Sequence, residues 1–117
     1  MSKKKVLYYT DRKGRSPVLE DIGDLLLKEQ EKIFAYVTLL QERGEELRRP
    51  ISDYVGDKLY ELRPKAFRVL YFFMLKEYAV VLHLFRKKTS QLPHAEISIA
   101  LARMKDFIDR FQLGEIN

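Results

Sequence analysis

Cysteine is absent from the 117 residues, and histidine occurs only twice. Without cysteine there are no disulfides and no thiolate metal ligands, which fits a reducing cytoplasm. The two histidines and the scattered carboxylates show no metal-ligand spacing, so the sequence predicts neither a metal nor a cofactor. Glycine (5) and proline (4) are sparse. They form no phosphate-cradling loop, internal repeat or low-complexity segment. No apolar run approaches the roughly 20 residues that a membrane span needs. The basic start, Met1-Ser-Lys-Lys-Lys5, has no apolar stretch behind it, so no secretory signal is expected. The length suits one domain over 1–117.

What is present is charge, unevenly placed. The net charge is +5. Between Lys58 and His94 eight Lys/Arg face two acids, Glu61 and Glu77, while the remainder is near balance. The cations sit at the ends of apolar, strand-forming segments. A basic surface on a small sheet is a natural place for a phosphate backbone.

The element pattern is α+β. Val6–Thr10 reads as a first strand, closed by the polar turn Asp11–Arg15. Ser16-Pro17 is a helix start, with Ser as N-cap and Pro at the first helical position. Val18, Leu19, Ile22, Leu25 and Leu26 share one side of that helix. A break near Leu27–Glu29 leads into a second helix running to about Arg43, with Gly44 as the stop. Glu45–Asp57 reads as irregular, and Gly56-Asp57 as a turn. Three antiparallel strands are expected at Leu59–Arg63, Phe67–Met74 and Ala79–Phe85, and a last helix over His94–Phe111. The order β-α-α-β-β-β-α gives a small, mostly antiparallel sheet with an N-terminal αα-hairpin and a C-terminal helix, the helices lying against one side.

Several segments resemble a known group. They are Tyr8-Tyr9, Gly14-Arg-Ser-Pro-Val18, Gly56-Asp-Lys-Leu-Tyr-Glu-Leu-Arg63, Phe67-Arg-Val-Leu-Tyr-Phe72, and Leu82-His-Leu-Phe-Arg-Lys-Lys-Thr89 with Pro93. In this order, over nearly the whole chain, they resemble the HigB-like, phage-derived branch of the RelE/ParE toxin superfamily. The resemblance implies a RelE-like fold and the toxin of a type II toxin–antitoxin pair. It implies a ribosome-dependent mRNA endonuclease that inhibits translation, with mRNA on the ribosome as substrate. It also implies a cognate antitoxin, commonly a helix-turn-helix protein encoded next to it.

RNA can be cut without metal or cofactor when the ribose 2′-OH attacks the adjacent phosphate. The protein must then move two protons and stabilise charge on phosphorus. Arg63 and Arg68 flank one hairpin connection and are the expected phosphate clamp. Arg86, Lys87 and Lys88 close the last predicted strand. Mutual repulsion makes Lys87 or Lys88 a candidate general acid or base. His94, beside that strand end, is the better histidine for proton transfer, whereas mid-strand His83 reads as a core or half-buried residue. Lys58, Lys65 and Arg86 are candidate RNA contacts. The segment Asp109–Asn117 has neither the tyrosine nor the histidine that several RelE-type toxins use near their C-terminus; Arg110, Tyr60 or Tyr71 are the residues that could stand in. Two other readings stay open: a gyrase-targeting, ParE-like toxin, and a non-catalytic phage-derived module that only binds an antitoxin.

Overall fold

The computed structural model describes residues 3–91 and 93–115. The first two residues of the basic start, Leu92, and the last two of the terminal segment lie outside the described residues. The elements run β1 (Lys5–Tyr8), α1 (Pro17–Gly23), α2 (Leu27–Arg43), a 3-10 turn (Gly44–Glu46), β2 (Ser52–Gly56), β3 (Leu59–Leu62), β4 (Phe67–Met74), β5 (Tyr78–Arg86) and α3 (His94–Gln112). One five-stranded sheet has the order β1-β5-β4-β3-β2. β1 runs parallel to β5, and the other three pairings are antiparallel.

The helix start at Ser16-Pro17 and the stop at Gly44 act as expected, but the break expected near Leu27–Glu29 falls earlier: α1 ends at Gly23, Leu25 and Leu26 lie between the helices, and Leu27 already opens α2. Ser16 Oγ accepts from the Leu19 N–H at 3.3 Å, and Pro17 opens α1. The Glu29 carboxylate accepts from the Leu26 N–H at 3.1 Å and caps the start of α2. Gly44, at φ 54°, ends α2 in a conformation that glycine adopts without strain.

Two expectations need correction. The segment expected to be irregular contains the strand β2. Its Ser52-Asp53 start carries little strand propensity, and the turn that follows is Asp57-Lys58, both at positive φ (52° and 70°), without glycine. The helices also do not share one side. α1 and α2 cover one face, packing Val18, Ile22, Ile33, Val37 and Leu40 with Leu62, Val69, Tyr71 and Val81. α3 covers the other, packing Ala100 and Phe107 with Leu59, Leu70, Phe72, Val80 and Leu82. The consecutive apolar residues of β4 and β5 require this, because a strand apolar on both faces must be buried on both.

β5 carries a bulge. Leu70 pairs with His83, but the next residue, Tyr71, pairs with Val81, which leaves Leu82 extra. Leu82 packs in the α3-side core, and His83 bonds to residues of α3 as well. The bulge therefore aims two successive side chains to one face. The displaced Leu82 carbonyl accepts from Arg103 Nη1 at 2.9 Å.

The β2 edge is blunted. The Ser52 N–H donates to the Arg48 carbonyl (3.1 Å), and the Tyr54 N–H donates to Asp53 Oδ1 (3.0 Å). Neither N–H is left to pair with another strand. Among the described residues no helix is long and apolar enough to cross a membrane.

Candidate functional site

On the α3 face, alternate residues of neighbouring strands converge beyond the N-terminal end of α3. Glu61 and Arg63 come from β3 and its end, Leu70 from β4, and Phe85 and Lys87 from β5 and its end. They line a cleft of about 350 Å³, completed by Arg49, Asp53 and Val55 on the β2 side and by Pro93 and Ile97 on the α3 side. Phase on the bulged strand decides the composition: past the bulge, His83, Phe85 and Lys87 share the cleft face. The Lys87 N–H donates to the Ala66 carbonyl at 2.7 Å, extending the β4–β5 ladder by one step and holding Lys87 at the rim.

The charges in the cleft are paired unequally. Arg63 Nη1 meets Glu61 Oε2 at 2.5 Å, and Arg49 meets Asp53 at 2.8 Å. Arg68 lies behind this pair, 9 % exposed. Its Nη1 donates to the Lys65 carbonyl (2.8 Å) and the Phe67 carbonyl (2.7 Å). Its Nε has no hydrogen-bond partner and stops 3.9 Å from Glu61. Burial, and then the charge of Arg63, lower the Arg68 pKa. With both carboxylates of the cleft engaged by arginines, Lys87 is the uncommitted cation of the lining among the described residues.

Arg63, Arg68 and Lys87 are thus brought together, with Arg63 and Lys87 lining the cleft and Arg68 bracing the hairpin from beneath. The other candidates lie elsewhere. Lys88 lines not the cleft but an adjoining smaller hollow of about 140 Å³, which shares Phe85, Lys87 and Pro93 with it. His94 is exposed at the first turn of α3 and is not in the cleft lining. Arg86 points to the opposite face, where it meets Glu29 at 3.2 Å and lies 4.5 Å over the Phe67 ring. Lys58 occupies the β2–β3 turn, beside Tyr54, Tyr60 and Phe73. Lys65 lines a cavity of about 220 Å³ with Lys28 and Lys32 of α2.

Sequence reasoning missed a relay next to the cleft. His83 Nε2 lies 2.6 Å from Glu96 Oε1, and His83 Nδ1 lies 3.2 Å from Arg103 Nη1. Arginine can only donate, so Nδ1 accepts and Nε2–H donates to the carboxylate. The ring stacks on Phe85 at 5.9 Å. No short-range pattern marks this trio, because its contacts span 13 and 20 positions and depend on the bulge. A second network fixes the other end of α3. The Tyr9 hydroxyl donates to Asp106 at 2.7 Å, Arg110 pairs with Asp106 at 2.9 Å, and Arg110 also donates to the Thr10 carbonyl.

The family model described as Phage derived protein Gp49-like (DUF891) matches residues 20–105, most of the chain. The chain belongs to the phage-derived Gp49-like family. No curated protein matches it. The Gp49-like match takes in every residue of the cleft and the Glu96–His83–Arg103 relay. β1 and the Asp106–Arg110 clasp fall outside it.

Proposed function

We propose that this Gp49-like protein is the toxin of a toxin–antitoxin pair and that it cuts mRNA on the ribosome. One observation carries the reading: Arg63, Lys87 and Glu61, side chains with the chemistry to clamp an anion, give a proton and take one, line one cleft of about 350 Å³. Arg63 takes the non-bridging oxygens of the scissile phosphate and stabilises the charge that builds there. Glu61, released from Arg63 as the phosphate arrives, accepts the proton of the 2′-OH. The 2′-oxygen bonds to phosphorus, and the bond to the 5′-oxygen breaks. The Lys87 ammonium gives that oxygen its proton. The products are a 2′,3′-cyclic phosphate and a 5′-hydroxyl, and neither metal nor cofactor takes part. Arg68 holds the β3–β4 connection so that Arg63 and Glu61 stay in register.

An antitoxin encoded beside this chain, of helix-turn-helix type, would restrain it. The test is inducible expression with and without that neighbouring reading frame. Growth arrest with an early stop in protein synthesis, relieved by the neighbour, is the expected result. Arrest with DNA-damage signalling while translation continues would instead point to a gyrase-type protein target. No arrest from soluble protein would leave only an antitoxin-binding module.

A further inference from the structure

A hollow of about 620 Å³ lies on the opposite side of β2 from the cleft. Arg49, Asp53 and Tyr54 line both, so the two cavities adjoin across the β2 edge. The hollow has an aromatic floor. Tyr54 meets Tyr60 edge-on at 5.0 Å, and Tyr60 meets Phe73 edge-on at 5.2 Å. Tyr54 is 56 % exposed. Its ring is nevertheless held, because the Lys58 N–H of the following turn donates to its hydroxyl at 3.2 Å.

The surroundings are cationic once internal pairs are removed. Of the carboxylates lining the hollow, Glu45 is engaged by Lys4 at 2.7 Å and Asp53 by Arg49 at 2.8 Å. Among the described residues the Arg48 guanidinium meets carbonyl oxygens, those of Glu45 and Leu47, and no carboxylate. Lys58 flanks the outer end of the shelf. A fixed, exposed aromatic ring with unneutralised cations around it is what a single-stranded nucleic acid uses: the base stacks and the backbone follows the charge.

We infer that Tyr54, backed by Tyr60 and Phe73, is a base-stacking subsite for the RNA nucleotide next to the one held in the Arg63–Lys87 cleft, the strand crossing the β2 edge at Arg49. The inference rests on the RNA reading of the cleft. The outward Ser52 and Tyr54 N–H groups of β2 are bonded internally, which disfavours extension by a partner strand and favours an occupant that stacks.

The test is fluorescence anisotropy with a labelled single-stranded RNA hexamer whose riboses are 2′-O-methylated, so that it binds without being cut. The subsite predicts that Tyr54→Ala weakens binding by roughly tenfold or more, while Tyr54→Trp retains it. Circular dichroism of both variants checks the fold, which an exposed ring should not disturb. Weak binding by Tyr54→Ala and also by Arg63→Ala supports shelf and cleft together. Native affinity in Tyr54→Ala with loss in Arg63→Ala overturns the shelf and leaves the cleft standing. No binding by the native protein overturns both. If Tyr54→Ala keeps RNA affinity but loses the co-expressed neighbouring protein on purification, the shelf is a protein interface and the inference is wrong.

Discussion

Glu61 and Arg63, two positions apart in sequence, are joined carboxylate to guanidinium at 2.5 Å at the mouth of the cleft. The same carboxylate stays 3.9 Å from the unpartnered Nε of Arg68. One carboxylate thus stands between two arginines and satisfies one of them. A phosphate that draws Arg63 away leaves Glu61 a second cation to lean on.

In the proposed mechanism, replacing Glu61 with Gln removes the proton acceptor and keeps the shape. RNA cleavage should fall by about 10²–10⁴-fold, the usual range for losing a general base. The partly buried arginines lose their compensating charge, so the variant should also be about 1–3 kcal/mol less stable. Urea denaturation beside a cleavage assay separates the two effects. Full activity in Glu61→Gln would remove Glu61 from the chemistry.

Arg63 and Arg68 should behave differently when truncated. Arg63 is partly exposed and bonded to one carboxylate, so Arg63→Ala should fold and lose growth arrest. Arg68 is buried and holds two loop carbonyls. Arg68→Ala should cost about 2–3 kcal/mol of stability, since hydrogen bonds from a charged group are lost in a buried place. Equal melting temperatures for the two variants would contradict this division.

Arg103 holds the bulge of β5 through the Leu82 carbonyl at 2.9 Å. Arg103→Met keeps the stem and leaves that carbonyl unpaired, at a cost of about 1–3 kcal/mol. It also frees His83 Nδ1, so the imidazole resonances of His83 in an NMR spectrum should shift. Unchanged resonances and stability would show that the bulge stands without Arg103.

Alkaline pH should weaken the fold through Tyr71. Burial pushes its phenol up to about 12, and the Ser52 hydrogen bond only partly opposes this. The folded value lies above the ordinary value near 10. The stabilisation is therefore complete below about pH 10 and is lost as pH rises towards about 12, a change of roughly 2–3 kcal/mol. Tyr71→Phe should flatten the stability profile in that window; an unchanged slope would assign the loss to other groups.

Acid should loosen the far end of α3. The hydrogen bond from Tyr9, and then Arg110 beside it, hold the Asp106 carboxyl below the usual carboxylate range against the opposing effect of burial. A depressed carboxylate stabilises above its unfolded value and loses that contribution as pH falls through the folded one. The gap in stability between native protein and Asp106→Asn should be widest near neutrality and close in acid. Tyr9→Phe should cost about 1–2 kcal/mol at pH 7 through the same bond.

Much of this organisation was legible in the residues because it is local. Ser16-Pro17 starts a helix wherever it sits, and Phe67–Met74, apolar at nearly every position, reads as a central strand. The same doubly apolar pattern implied helices on both faces, a consequence the expected one-sided arrangement overlooked. β2 was hidden because Ser52-Asp53 and the Asp57-Lys58 turn carry weak signals. Of the cations singled out at strand ends, Arg63 and Lys87 line the cleft and Arg68 lies behind it. The bulge that changes the phase of β5 decides that Lys87 faces the cleft while Arg86 turns to α2, and no one-dimensional pattern shows it. Glu61 was seen only as one of two acids in a basic block, and the relay through His83 needs a third dimension.

The most direct measurement is a map of 5′-hydroxyl RNA ends in cells after brief induction of the native protein and of Arg63→Ala. New ends inside translated codons with the native protein, and none with a soluble, folded Arg63→Ala, is the predicted result. Growth arrest without new ends, or the same ends from Arg63→Ala, would contradict an RNA-cleaving cleft built on Arg63.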